Sequence, residues 1–241
     1  MSTQTMNSRP KNRTLSVIRM QMVNRATYLW VPILVLGGSL VVTLAIWGIL
    51  ASAGVEGPLY GGGAQAPLWY FAVVGVQALA LTFPFSQAMS VTRREFYIGT
   101  LLTAAITSAI LAVIFVLGGF VEQATDGWGL NGYFFYLPWV WETGPVGAGV
   151  VFFVIAMLFF TVGFWAATIY KRFGNVVLTG TILAIALILV GLMWLAGRLD
   201  AWGQIGAWLA AQGALGLALW GVLLIAVLAG TSYLTLRRAT P

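Results

Sequence analysis

The chain has 241 residues, of which 60% are hydrophobic and only 7% are charged, and its formal net charge is +6. A soluble domain carries about 25% charged residues, so this composition indicates an integral membrane protein. Cys and His are both absent, which excludes thiolate and imidazole metal sites and nucleophiles of the Ser-His-Asp or Cys-His type. Apolar runs of about 20 residues predict membrane-spanning helices, because a β-barrel would alternate apolar and polar residues instead.

A basic N-terminal segment precedes six such runs, and the pattern predicts an all-α polytopic membrane protein with a single transmembrane domain. Residues 1–27 are expected in the cytoplasm and to include an interfacial helix whose apolar face carries Leu15, Ile18 and Met22. The spans fill residues 28–236, and residues 237–241 form a cytoplasmic tail. The predicted spans are 28–50, 68–89, 96–119, 147–169, 176–195 and 209–236.

The basic residues predict the orientation of these spans. Eleven of the 12 Lys and Arg residues lie on one side of the predicted membrane, and only Arg198 lies on the other. Cytoplasmic loops carry an excess of Lys and Arg, so both termini are predicted to be cytoplasmic. The basic residues flank spans and form no patch interleaved with aromatic residues, so nucleic-acid binding is not expected.

A short charged elbow joins spans two and three. Thr92 is followed three residues later by Glu95, which matches a helix-capping box, and Val91 and Phe96 occupy the positions of a hydrophobic staple. This pattern predicts a stiff corner that a partner could push, or simply a capped hairpin. The candidate site comprises Val91, Thr92, Arg93, Arg94, Glu95, Phe96 and Tyr97.

A second inner loop, between spans four and five, carries Lys171, Arg172 and Phe173. Pro84 is a candidate kink near the inner end of span two. The Gly-rich segment 52–67 is expected to be a flexible outer linker. In span six, three alanines at four-residue spacing predict a close helix contact, namely Ala210, Ala214 and Ala218.

Few polar residues lie near the middle of the spans. A candidate substrate path would use Gln77, Thr103, Thr107 and the aromatic Phe160, although the threonine spacing favours helix packing and back-bonding. The longest outer segment contains a dense aromatic cluster, for which an aromatic belt in the headgroup region is favoured over a lid that docks substrate. The cluster comprises Tyr133, Phe134, Phe135, Tyr136, Trp139 and Trp141.

The sequence lacks the groups that most membrane chemistry requires. An ion-coupled carrier keeps a titratable group at mid-membrane, and all charged residues here fall at span ends or in loops. The two lysines, Lys11 and Lys171, do not end a P-loop motif, so the chain itself binds no ATP in that manner and needs no cofactor of its own. Energy for transport would therefore come from a separate subunit.

The stretch from Ser90 to Leu102, together with the basic N-terminal segment and six spans, resembles the permease subunits of bacterial type-2 ABC exporters. The loop around Lys171, Arg172 and Phe173 is similar to the second inner loop of that family. The resemblance implies that the elbow is a coupling helix docking on cytoplasmic P-loop ATPase subunits, which bind ATP and Mg. It also implies a second permease copy, identical or paralogous, and outward movement of a drug, antimicrobial peptide or lipid.

The sequence is also compatible with two other functions. A non-transporting membrane scaffold or sensor subunit would explain the same absence of reactive groups. A secondary carrier would have to use Gln77 and the threonines of span three, none of which titrates. An Arg-, Ala- and Gly-rich, Lys-poor composition favours a bacterium of high genomic GC content, and hence the bacterial plasma membrane, with lipid as a further partner.

Overall fold

The computed structural model describes residues 13–23, 25–88 and 90–237. Parts of the predicted N-terminal segment and tail, and the last residue of predicted span two, lie outside these ranges. The described chain is all-α apart from two short strands, β1 and β2. The elements are α1 (Arg13–Val23), α2 (Val31–Ser52), β1 (Leu59–Tyr60), α3 (Ala66–Gln77), α4 (Phe83–Ala88), α5 (Arg93–Ala124), β2 (Gly132–Tyr133), α6 (Pro138–Trp141), α7 (Gly144–Arg198) and α8 (Trp202–Arg237).

Five helical stretches of the described chain are long and apolar enough to cross a membrane. They are Ala26–Ser52, Gly62–Ala88, Arg93–Ala124, Gly144–Arg198 and Trp202–Arg237. The fourth stretch covers both predicted spans four and five, and its 55 residues would extend about 80 Å if straight. It is interrupted at Gly174, whose φ of 81° and ψ of −179° are not helical, so one residue replaces the longer loop that the sequence predicted.

A similar break divides α8 and corrects the prediction for span six. Gly213 has a φ of 61° and a ψ of 178°, which separates residues 202–212 from residues 214–237. Ala214 and Ala218 are buried, but Ala210 lies beyond the break and is exposed. The predicted three-alanine contact is therefore wrong at Ala210, because the helical periodicity that aligns the three positions ends at the glycine.

Two prolines explain two wide helical turns. A proline ring clashes with the carbonyl four residues earlier and supplies no N–H, which helices accommodate by local widening. Pro32 follows a π-helical turn at Ala26–Trp30, and Pro84 follows another at Ala78–Thr82. The irregularity predicted at Pro84 is present, and it lies in the turn before the proline.

Helix α1 packs against α5, with a different face from the predicted one. Val17 and Gln21 are buried, at 1% and 2% exposure, whereas Ile18 and Met22 are only partly buried. The helix is therefore rotated by about one residue from the apolar face that hydropathy indicated. The reason is a buried polar contact: Gln21 Nε2 donates a hydrogen bond to Thr100 Oγ1 of α5 at 2.8 Å.

The core forms where α3 and α5 pack on the first half of α7. Two glycines allow α3 and α7 to approach backbone to backbone. A Cβ on Gly75 would clash with the carbonyl oxygen of Phe160, and a Cβ on Gly163 would clash with that of Ala72. By contrast, no residue of α7 after Ile169 is buried, and Val176 is 86% exposed. An exposed apolar helix of this kind suits a lipid surrounding.

A short parallel strand pair joins the segment between α2 and α3 to the segment between α5 and α6. Leu59 pairs with Gly132, and Tyr60 pairs with Tyr133. Gly61 N extends this contact by donating to Tyr133 O at 3.3 Å. Residues 59–61 of the Gly-rich segment are therefore held against the segment that follows α5, a contact that the expectation of a flexible linker did not include.

Candidate functional site

The elbow begins α5 with the predicted capping box, which is confirmed. The Glu95 amide donates to Thr92 Oγ1 at 3.2 Å, and the Thr92 amide donates to Glu95 Oε2 at 2.9 Å. Thr92 is extended, with a φ of −69° and a ψ of 151°, as an N-cap residue should be. Gln87 Nε2 also donates to Val91 O at 3.1 Å, so the end of α4 is tied to the same corner.

Phe96 fixes the elbow to the protein interior. Its side chain is fully buried, and its ring packs edge-on against Phe83 of α4 with 5.1 Å between the ring centroids. Val91 is partly buried against the same core cluster. Replacing Phe96 by alanine would therefore remove a core side chain, a change that costs about 3 to 5 kcal/mol.

Two elbow residues bind the C-terminal part of α8. Arg93 Nη1 donates to the carbonyl oxygens of Leu236 and Arg237, at 3.1 and 3.0 Å. Tyr97 Oη donates to Ala229 O at 2.7 Å. Arg93 thus supplies donors and positive charge to a helix C-terminus, where carbonyl groups lack intrahelical partners. Arg94, in contrast, is exposed, so it is the elbow cation that a partner could reach.

Residues 171–173, which the sequence predicted as a second inner loop, belong to α7 and also lie beside the end of α8. Arg172 stacks on Phe173, with its guanidinium carbon 4.6 Å from the ring centroid. Arg172 and Arg237 line one groove, while Lys171 is exposed. The two inner segments that the sequence singled out therefore meet the same helix terminus, from positions more than 70 residues apart in the chain.

The candidate substrate-path residues are distributed through the packed interior. Thr103 and Thr107 are buried and donate to the carbonyls of Gly99 and Thr103, at 2.9 and 3.0 Å. Phe160 is 1% exposed and stacks on Phe164. Gln77 is partly buried just before the π-helical turn of span two. In this conformation the threonines have the packing and back-bonding arrangement that their spacing favoured.

The outer aromatic cluster lies mostly inside the protein. Phe134, Phe135 and Trp141 are 1%, 5% and 9% exposed, and Tyr133 and Tyr136 are partly buried. Only Trp139, at 50% exposure, has the surface position of a belt residue. Phe135 packs edge-on against Phe115 of α5, at 5.3 Å between centroids.

Glu122 organises this cluster, although it is not among the candidate site residues that the sequence predicts. Its fully buried carboxylate accepts four hydrogen bonds of 2.7 to 2.9 Å. An acidic residue in the last turn of a helix is unfavourable, because the helix dipole is negative at that end. Its position in the sequence therefore indicates that hydrogen-bond donors lie close to its carboxylate. The donors are Trp128 Nε1 and the amides of Phe134, Phe135 and Tyr136.

The cap at Thr92 permits a direct test of elbow stiffness. We expect Thr92→Ala to lower the free energy of unfolding by about 1 kcal/mol, because both capping-box hydrogen bonds depend on this residue's conformation or hydroxyl. The thermal midpoint in detergent, monitored by tryptophan fluorescence, measures this change. Thr92→Ser, which keeps the hydroxyl, should remain within about 0.5 kcal/mol of the parent. Equal losses in both variants would contradict the capping role.

Comparisons of the chain with protein-family models, curated proteins and solved structures gave no match. The resemblance to exporter permeases therefore depends on the elbow residues and the helical layout.

Proposed function

We propose that the chain is the transmembrane subunit of an ATP-driven exporter of the type-2 ABC class. It would move a hydrophobic or amphipathic substrate, such as a drug, an antimicrobial peptide or a lipid, outward across a bacterial plasma membrane. A separate P-loop ATPase would bind ATP and Mg, and a second permease copy or paralogue would complete the complex. The observation that carries this proposal is the elbow, which combines a capped helix start, a buried anchor and an exposed arginine.

The proposed topology has six spans with both termini in the cytoplasm. The non-helical backbone at Gly174 supports a division of α7 into two antiparallel spans, because its full length exceeds twice the hydrocarbon thickness of about 30 Å. The distribution of the basic residues supports the orientation. In this arrangement the elbow, the turn at Gly174 and the end of α8 all face the ATPase.

The contacts of the elbow give a physical route for coupling. A force applied at Arg94 acts on a helix start that cannot bend easily, since its first turn is closed by reciprocal hydrogen bonds. Phe96 passes displacement to α4, and Arg93 and Tyr97 pass it to α8. A movement at one surface would thus reach three helices through a few short contacts.

Purification from native membranes with ATP and Mg tests whether an ATPase subunit is bound to the chain. We expect a P-loop ATPase to co-purify with the chain, and substrate to stimulate its ATP hydrolysis in liposomes. Arg94→Gln should weaken this coupling roughly 5- to 30-fold, as expected for losing one charged interface contact. Arg198→Gln, with the same charge change on the predicted outer side, should leave the coupling unchanged.

Three outcomes would contradict the proposal in different ways. Repeated recovery without any P-loop protein removes the energy source. Stable ATPase binding without stimulation by hydrophobic compounds indicates a scaffold or sensor subunit. Uptake driven by an ion gradient, with no ATP requirement, indicates a secondary carrier.

A further inference from the structure

Two arginines from distant parts of the chain line a polar groove at the inner end of α8. The groove has a volume of about 380 Å³ and is lined by Arg172, Leu234, Thr235 and Arg237. We propose that this groove binds the phosphate group of an anionic phospholipid. The site requires only that the helices lie in a membrane, so it does not depend on the transport proposal.

The two guanidinium groups are positioned but unneutralised. Arg172 stacks on Phe173, and Arg237 lies over Tyr233 with 5.9 Å to the ring centroid. Within the described residues, neither guanidinium has a carboxylate partner. Guanidinium groups offer forked N–H donors that match phosphate oxygens, and each of the two lies over an aromatic ring.

The C-terminal end of α8 would ordinarily repel an anion, and Arg93 weakens this repulsion. The C-terminus of a helix carries a partial negative charge on its free carbonyls. Arg93 donates to the carbonyls of Leu236 and Arg237, so part of this charge is compensated. Thr235 contributes an oxygen but no free proton, because its hydroxyl donates to Thr231 O at 2.7 Å. The two arginines therefore carry the binding.

The surroundings favour a lipid over a free phosphate ion. Leu234, which lines the groove, and Phe173, which contacts Arg172, are 61% and 49% exposed, so apolar surface adjoins the polar groove. A phospholipid can place its phosphate between the arginines and its acyl chains along these side chains. Basic pockets between membrane helices on the cytoplasmic side suit anionic headgroups.

The test is native mass spectrometry of the full chain released from nanodiscs containing equal amounts of phosphatidylglycerol and phosphatidylcholine. We expect the parent to retain phosphatidylglycerol selectively. Each arginine should contribute about fivefold, so Arg172→Gln with Arg237→Gln should reduce retention roughly 25-fold. The double lysine variant, which keeps the charges without the forks, should recover part of the binding and shows that loss is not due to misfolding.

Arg94→Gln is the matched control, since it removes one inner-side charge outside the groove, and we expect it to retain the lipid. Equal retention by the double glutamine variant and the parent would overturn the proposal. So would an equal loss in Arg94→Gln, which indicates diffuse attraction to the surface. Displacement of the lipid by millimolar inorganic phosphate would identify a general phosphate site. If the double glutamine variant retained the lipid but co-purified less ATPase, the groove would instead bind an acidic protein surface.

Discussion

Replacing Glu122 by alanine is expected to destabilise the protein by at least about 3 kcal/mol, through the segment that carries residues 128–136. The change leaves four donors around a fully buried position without their acceptor, and each buried unsatisfied group costs about 1 to 3 kcal/mol. The thermal midpoint in detergent, measured by tryptophan fluorescence, should fall by about 10 °C.

Glu122→Gln is the matched control for this prediction. The amide oxygen can still accept two of the hydrogen bonds, whereas its NH₂ group faces donors where the carboxylate has its second oxygen. An intermediate loss of stability is therefore expected. An alanine variant as stable as the parent would show that the four contacts contribute nothing to holding the outer segment.

The second large effect is expected for Gly163→Leu. A Cβ at this position would clash with the Ala72 backbone carbonyl, and a backbone atom of a packed helix cannot rotate away as a side chain can. Separation of α3 from α7 should cost about 3 kcal/mol or more, at the upper end of overpacking effects. Lower yield of folded protein in size-exclusion chromatography and a lower thermal midpoint would both report it.

Gly180→Leu provides the comparison at a helical glycine of the same helix. No atom lies within 4 Å of a Cβ built there, so the leucine should be accommodated without a packing penalty. If both variants lost stability equally, an effect common to both leucines, such as altered lipid or detergent contact, would explain the loss, and the close approach of α3 and α7 would not.

The features that the sequence predicted correctly depend on residues that lie close together in the chain. The capping box needs only Thr92 and Glu95, three residues apart, and the apolar runs locate most helices through their own composition. The binding of Arg93 to α8 could not be predicted in this way, because its partners lie 143 and 144 residues further along the chain.

Two other differences have local causes that hydropathy does not record. The acceptor role of Glu122 depends on an outer loop whose backbone takes left-handed conformations at Asp126, Trp128 and Asn131, which bring the later amides back to the helix end. The buried face of α1 differs from the apolar face because Gln21 is buried with a hydrogen bond to Thr100. A hydropathy scale assigns such a residue to the surface.

The glycines that interrupt α7 and α8 have a common mechanical consequence. Gly174 and Gly213 both occupy a region of positive φ and fully extended ψ that is essentially restricted to glycine. Residues 175–212 are consequently attached at each end through one residue without a side chain. Rotation about φ and ψ of Gly174 and Gly213 would reorient residues 175–212 while the flanking helices kept their hydrogen bonds. The two glycines would therefore act as hinges for this segment.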